Sequence, residues 1–288
     1  MSYLIFFNPN NIKLDKNKLL LSRNNVVVKD CVGDNISNDL MFNTIEMSNL
    51  NDYTKQAFIV LEDKRFYSHN GIDTTRMVGA MLANLKSNSI AQGGSTITQQ
   101  LIKNTHLTNE KTMRRKFNEI GLSLQIERQY NKNDILSMYL NTIYFGEGAY
   151  GINNAAKTYF NKTADNLSIE ESATLVAIIK APTYYNPTVN IAKCKERRNI
   201  VLKLMRDSDV INQQQYEDAI DKDIVVKISE RTKDNSSYVN SAIIEASKAL
   251  GMSQLEILNQ KYIISTYLDS DTQKKLIEAI DSNKTLAT

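Results

Sequence analysis

Between about residues 50 and 222, apolar positions recur three and four apart, the spacing of one face of an α-helix. In TTRMVGAMLANL, Met77, Val78, Met81, Leu82 and Leu85 fall on one face, with Asp73 or Thr74 as the N-cap. RRKFNEIGLSLQIE carries the pattern through Phe117, Ile120 and Leu124, and NDILSMYLNTIYF aligns Ile135, Tyr139 and Ile143. SIEESATLVAIIKAP opens on a capping box, Ser168 followed three residues later by Glu171, and Pro182 stops that helix. KCKERRNIVLKLMRDS and QQQYEDAI predict two more helices.

The two ends read differently. Residues 1–45 alternate poorly, with a short β-like run, VVVKD at 26–30, broken by CVGDN. After 222 come a strand-like DIVVKI, a polar break, a helix and a predicted strand, YIISTYL. The division expected is an N-terminal strand-and-turn segment at 1–45, a helical domain at 46–225 and a C-terminal segment at 226–288. No internal repeat is visible.

Composition narrows the class without changing this picture. Of 288 residues, 42% are apolar and 23% charged, which is ordinary for a globular chain. Lysine and arginine total 35 against 32 acids, a net charge of +3, so a nucleic-acid partner is not expected, because phosphate binding needs concentrated positive charge. Cys31 and Cys194 stand far apart without metal spacing and read as two isolated buried thiols. No run approaches the roughly 18–20 apolar residues of a membrane helix, and YLIFF at 3–7 is far too short.

Candidate chemistry clusters in three stretches. EDKRFYSHNG at 62–71 follows the apolar run AFIVL. A carboxyl group held partly out of water, such as Glu62 there, has its charged form disfavoured and suits proton transfer. The plainer reading is a solvated helix end, with Glu62 paired to Lys64 or Arg65. AQGGSTITQQ at 91–100 frees the backbone with two glycines and then offers Ser95, Thr96, Thr98, Gln99 and Gln100. Exposed N–H groups and hydroxyls at a helix start suit an oxygen-rich or anionic ligand, or else they form a polar loop with an ordinary N-cap. Lys103, Lys111, Arg114, Arg115 and Lys116 stand against Glu110 and Glu119, a local excess of +3 within residues 103–119. Such cations are natural partners of phosphate, although Arg115 and Glu119 also have the spacing of a surface ion pair. Asp207-Ser208-Asp209 and Asp269-Ser270-Asp271 read as helix-end and turn residues, and His106 as a loop histidine.

Five ordered stretches, EDKRFYSHNG, GGSTITQQ, RKFNE at 115–119, KNDILSMYLN at 132–141 and RRNIVL at 197–202, resemble glycosyltransferase family 51. This is the peptidoglycan glycosyltransferase module of class A penicillin-binding proteins and monofunctional transglycosylases. The resemblance spans roughly 50–222, and YIISTYLDSDTQKKLIEAI resembles the connector toward a transpeptidase domain. No Ser-x-x-Lys or Lys-Thr-Gly of such a transpeptidase is present. The expectation is an excised piece lying between membrane anchor and transpeptidase, native to the outer face of the bacterial cytoplasmic membrane.

The resemblance implies a mainly α, lysozyme-like two-lobed fold with short β segments at both ends. It implies polymerisation of lipid II with inversion at the anomeric carbon and a polyprenyl pyrophosphate leaving group. Glu62 would be the general base and Glu119 the second acid, orienting cations or holding a divalent ion (magnesium or manganese) that the sequence does not require. Lys103, Arg115 and Lys116 would meet the pyrophosphate. Ser95, Thr96, Gln99 and Gln100 would bond sugar and phosphate oxygens, with Asp63, Phe66, His69 and Arg197 completing the substrate site, and Asn141 and Tyr144 buttressing it. Expected partners are lipid II, the lipid-linked nascent glycan, the membrane surface (through the apolar 74–90 region, unless that is core) and other cell-wall synthesis proteins. The rival expectations are a lysozyme-like hydrolase and a non-catalytic cell-wall scaffold.

Overall fold

The computed structural model describes residues 14–19, 26–37, 44–79, 94–107, 112–227, 236–252, 254–259 and 261–284. These are mainly helical, as the periodicity requires. The helices Asp52–Glu62, Ile97–His106, Met113–Gln129, Lys132–Thr142, Ile152–Phe160, Ile169–Ile178, Ile191–Arg206 and Gln213–Asp221 enclose one large apolar core. At its centre Ile169–Ile178 is buried on every side from Ser172 onward. A helix hydrophobic all round belongs in the middle of a bundle, and this one accordingly packs against both Asp52–Glu62 and Ile191–Arg206. Its capping box forms as expected: Ser168 Oγ accepts from Glu171 N while the Glu171 carboxylate accepts from Ser168 N. Ile135, Tyr139 and Ile143 are all buried.

The chain ends join each other. Val27–Lys29 pairs in parallel with Ile263–Ser265, in the register Val27 to Ile263, Val28 to Ile264 and Lys29 to Ser265. A parallel pair needs a long crossover, and here the crossover is the whole helical domain. Val26, Val28, Val239, Ile243, Ile257 and Leu258 form a second, smaller apolar cluster beneath the pair.

Four sequence readings are corrected. Residues 223–227 are not a strand; no strand among the described residues pairs with them, and Lys227 N instead donates to Tyr159 O across 2.8 Å. The buried face of Met113–Gln129 is Glu119, Leu122, Ser123 and Ile126, not the Phe117–Ile120–Leu124 stripe. Leu122 and Ile126 join the large core, but Glu119 and Ser123 on the same face are polar, so apolar periodicity alone could not locate it; Phe117 and Leu124 are exposed. Cys194 is buried, its thiol pushed up to about 12 by burial, but Cys31 is exposed on a turn; both are free. His106 closes a helix rather than sitting in a loop. A helix opens at Thr74 with Asp73 as its N-cap, Asp73 Oδ1 accepting from Arg76 N. Of its predicted apolar face, Met77 is half-buried and Val78 exposed, while Met81, Leu82 and Leu85 lie outside the described residues.

Candidate active site

Two consecutive carboxylates at the end of Asp52–Glu62 grip one neighbouring helix at successive turns. Asp63 is fully buried, and its Oδ2 accepts from Ile97 N, the first N–H of Ile97–His106, across 3.0 Å. An anion at a helix N-terminus is stabilised by the unsatisfied N–H groups and the helix dipole. His69 Nε2 lies 2.9 Å from the same oxygen, and Arg76 Nη1 is 4.0 Å from Oδ1. Glu62, half-buried, takes the Gln100 amide instead, Nε2 donating to its Oε2 across 2.7 Å. Gln100 Oε1 in turn accepts from Tyr139 OH at 3.3 Å, and burial raises that phenol well above its ordinary range, keeping the proton on it. Arg76 also donates to the Glu62 backbone carbonyl.

The remaining stretches lock onto this pair. Thr96 caps its helix through a capping box with Gln99 and donates its hydroxyl to Gly71 O across 2.7 Å. Gly71 has φ +86°, and a Cβ there would stand 2.7 Å from Ser123 O. Thr98 donates to Glu127, which also pairs with Lys132, and the Lys132 ammonium sits 4.5 Å from the centre of the Phe66 ring. Asn141 bonds both N–H and C=O of Ile45, fastening the segment before Asp52–Glu62 to Lys132–Thr142. The loop at 62–71, the capped start of Ile97–His106 and the helices Met113–Gln129 and Lys132–Thr142 are thus one hydrogen-bonded unit.

The expected site residues divide by burial. Asp63, Phe66, Thr96 and Gln99 are fully buried, and the polar atoms of Asp63 and Thr96 are engaged by protein groups. Direct substrate contact does not fit these four, because nothing outside the protein reaches them. His69 is nearly buried through its bond to Asp63. Glu62, Ser95, Gln100, Lys103, Arg115, Lys116 and Arg197 retain exposure. Lys103 is exposed, with no ion pair among the described residues, one turn beyond Gln100 on the same helix face. Lys116 pairs with Glu119 and lies 3.3 Å from Ser95 Oγ, bridging the second and third stretches. Arg115 Nε and Arg197 Nε are buried without a hydrogen-bond partner among the described residues, and the Arg197 guanidinium lies 5.9 Å from the Tyr185 ring centre.

Glu119 is 2% exposed and engaged by Lys116. Among the described residues no group of three His, Cys, Asp or Glu side chains converges. A carboxylate already neutralised and shut from solvent does not fit a protein-held divalent ion.

Sequence reasoning missed several members of this unit. Tyr139 was legible only as core, although a buried phenol calls for a hydrogen-bond partner. Arg76 and Glu127 gave no signal beyond ordinary polar positions, and Thr98, although part of the polar run at 95–100, gave no sign of its partner Glu127. Arg198, beside the expected Arg197, is fully buried and donates to Lys222 O and Ile220 O, tying Ile191–Arg206 to the end of Gln213–Asp221.

A helical bundle thus carries a half-shielded carboxylate, Glu62, bonded to Gln100 on the helix that also presents the exposed Lys103. The transglycosylase family profile matches residues 31–206, and the chain belongs to that family. Penicillin-binding protein 1A/1B of Bacillus subtilis is 41% identical over 245 residues, covering 83% of this chain and 27% of that protein. Penicillin-binding protein 1F of the same organism is 38% identical over 266 residues, covering 91% of this chain and 37% of the relative. The chain thus spans roughly a quarter to a third of the length of these relatives. Among solved structures, penicillin-binding protein 1A of Haemophilus influenzae matches with a TM-score of 0.45 and 20% identity, over 88% of this chain and 28% of that one.

Proposed function

We propose that the chain is a peptidoglycan glycosyltransferase that joins lipid-linked disaccharide–peptide units, lipid II, into glycan strands at the outer face of the cytoplasmic membrane. The observation that carries this reading is the Glu62 carboxylate, fixed by Gln100 one helical turn from Lys103, which has no ion pair among the described residues. A base alone would serve a hydrolase as well. A base near a cation with no ion pair among the described residues, Lys103, suits a reaction whose leaving group is a phosphate.

In this mechanism the acceptor sugar's 4-hydroxyl oxygen attacks the anomeric carbon of the donor, from the face opposite the pyrophosphate. The new C–O bond forms as the bond to the pyrophosphate oxygen breaks, its electron pair leaving with the polyprenyl pyrophosphate. Glu62 takes the hydroxyl proton. Lys103, Arg115 and Lys116 offset the charge gathering on the departing phosphate, a contribution that often dominates catalysis. Ser95 and Gln100 bond substrate oxygens, and Arg197 braces the cleft or meets ligand. Asp63, Phe66, His69, Thr96 and Gln99 hold the loop and helix that aim Glu62. No step is routed through a metal.

Incubation with labelled lipid II tests the reading. The protein elongates it into strands, and Glu62→Gln loses at least ~10²-fold of that activity, the scale of an essential proton-transfer group. Synthesis by Glu62→Gln near the wild-type rate, or release of fragments from finished peptidoglycan by the unaltered protein, overturns it.

A further inference from the structure

A cleft of about 530 Å³ opens beside Gln100 and Lys103, and its far wall comes from the C-terminal segment: Ser247, Met252 and Gln254. That segment lies beyond residues 31–206, where the family profile ends. The size falls within the roughly 300–1,000 Å³ typical of ligand clefts. Chemically the two walls differ. Lys103 supplies a positive charge at one side, whereas the opposite wall is neutral, made of amide, hydroxyl and thioether groups with Tyr144 and Tyr150 between them.

Gln254 is held in one sense. Tyr150 OH donates to its Oε1 across 2.7 Å, which occupies the amide carbonyl and leaves the amide's N–H donors for the cleft. Burial raises the Tyr150 phenol above its ordinary range, so it remains a donor throughout the neutral region. Ser247 spends its own proton on Met252 O, leaving its oxygen as an acceptor. The Tyr144 and Tyr150 rings meet at a tilt of 38° with centres 4.7 Å apart, and a backbone bridge joins the two residues. Tyr150 also packs against the small cluster formed by the chain ends, so the far wall is anchored from both sides. The result is a rigid donor of neutral hydrogen bonds facing a cation across a ligand-sized gap.

We propose that Gln254 is a specificity-determining residue: its amide N–H groups bond an acyl or hydroxyl oxygen of the saccharide whose phosphate lies at Lys103. This rests on the glycosyltransferase reading above. The C-terminal segment then does more than connect. It completes the substrate cleft and helps select the sugar.

Affinity for detergent-solubilised lipid II, measured beside polymer formation, separates the two ideas. In a Tyr150→Phe background, which leaves no phenol hydroxyl stranded, Gln254→Leu keeps the side-chain bulk but removes the donors, and weakens binding about 3- to 10-fold with an unchanged melting temperature, the range for one neutral hydrogen bond. Tyr150→Phe alone, which frees the amide to turn, weakens it in the same direction by less. Unchanged affinity on adding Gln254→Leu overturns the proposal, as does a loss that merely tracks a fallen melting temperature. Binding without polymer formation by the unaltered protein overturns the glycosyltransferase reading alone, since Gln254 still reports on the saccharide; no binding at all overturns both.

Discussion

The Gln100 amide donates to Glu62 Oε2 across 2.7 Å, so the carboxylate is aimed by a side chain on the same helix that carries Lys103. Gln100 is itself held by Tyr139 OH. Replacing it with leucine leaves the carboxylate without its fixed donor. Because displacements near 1 Å can cost about 10²-fold, we expect Gln100→Leu to lower kcat by ~10- to ~100-fold with circular dichroism near wild type, and stability to fall by roughly 1–3 kcal/mol because the buried Tyr139 hydroxyl loses its acceptor. Retained kcat would mean that Glu62 is aimed by something else.

Asp63 has a different fate although it is the adjacent residue. It is buried and fastens Ile97 N and His69 to one point. Asp63→Ala strands those donors in the interior, and leaving buried groups unpaired costs roughly 2–5 kcal/mol. Urea unfolding should register that loss directly. A denaturation midpoint matching wild type contradicts the role given to Asp63.

Much of this architecture was legible because helices announce themselves through spacing and caps. Ser168 with Glu171, and the stripe Ile135–Tyr139–Ile143, needed nothing beyond local pattern. Glu62 was legible as a candidate because an acid after AFIVL is out of place on a plain surface. The resemblance alone places Asp63 among the substrate residues; its partners, Ile97 N and His69, become neighbours only on folding. The buried face of Met113–Gln129 escaped because its Glu119 and Ser123 are polar, and an apolar stripe does not mark polar positions as buried. The run at 223–227 had strand composition but found no strand to pair with.

Gly71 joins the loop to the Met113–Gln129 helix at a distance that leaves no room for a side chain. Its φ of +86° disfavours any L-residue, and an added Cβ would stand 2.7 Å from Ser123 O, a backbone atom that cannot turn aside. Strain and overpacking together predict that Gly71→Ala loses roughly 2–4 kcal/mol. Because Thr96 bonds the Gly71 carbonyl, activity should fall more steeply than stability. Parallel assays of melting and polymer formation measure both.

The acid limb of stability should report on Asp73. Arg65 hydrogen-bonds its buried carboxylate and, outweighing the opposing effect of burial, holds it below the ordinary value of 3.8. A depressed folded-state value means that the unfolded chain binds the proton more tightly. The group's contribution is therefore complete above about pH 4 and is lost as pH falls through the depressed value. We expect the denaturation midpoint to drop below about pH 4, and Arg65→Gln to flatten that part of the profile. Parallel profiles for both proteins would remove Asp73 from the explanation.

Lys116 has two claims on it: it neutralises the buried Glu119, and it stands 3.3 Å from Ser95 at the open start of the neighbouring helix. Stability and activity separate these roles. Lys116→Met leaves a carboxylate that is 2% exposed without its counter-charge. That should cost roughly 2–4 kcal/mol, below the full value for a buried pair because the lysine head is partly in water. Adding Glu119→Gln removes the stranded charge, so the double variant should regain much of the lost stability in urea unfolding. Activity should not follow. The double variant still lacks the cation assigned to the leaving phosphate, and polymer formation should remain depressed by ~10-fold or more. If activity instead returns in step with stability, Lys116 serves Glu119 alone, and Lys103 and Arg115 carry the phosphate without it.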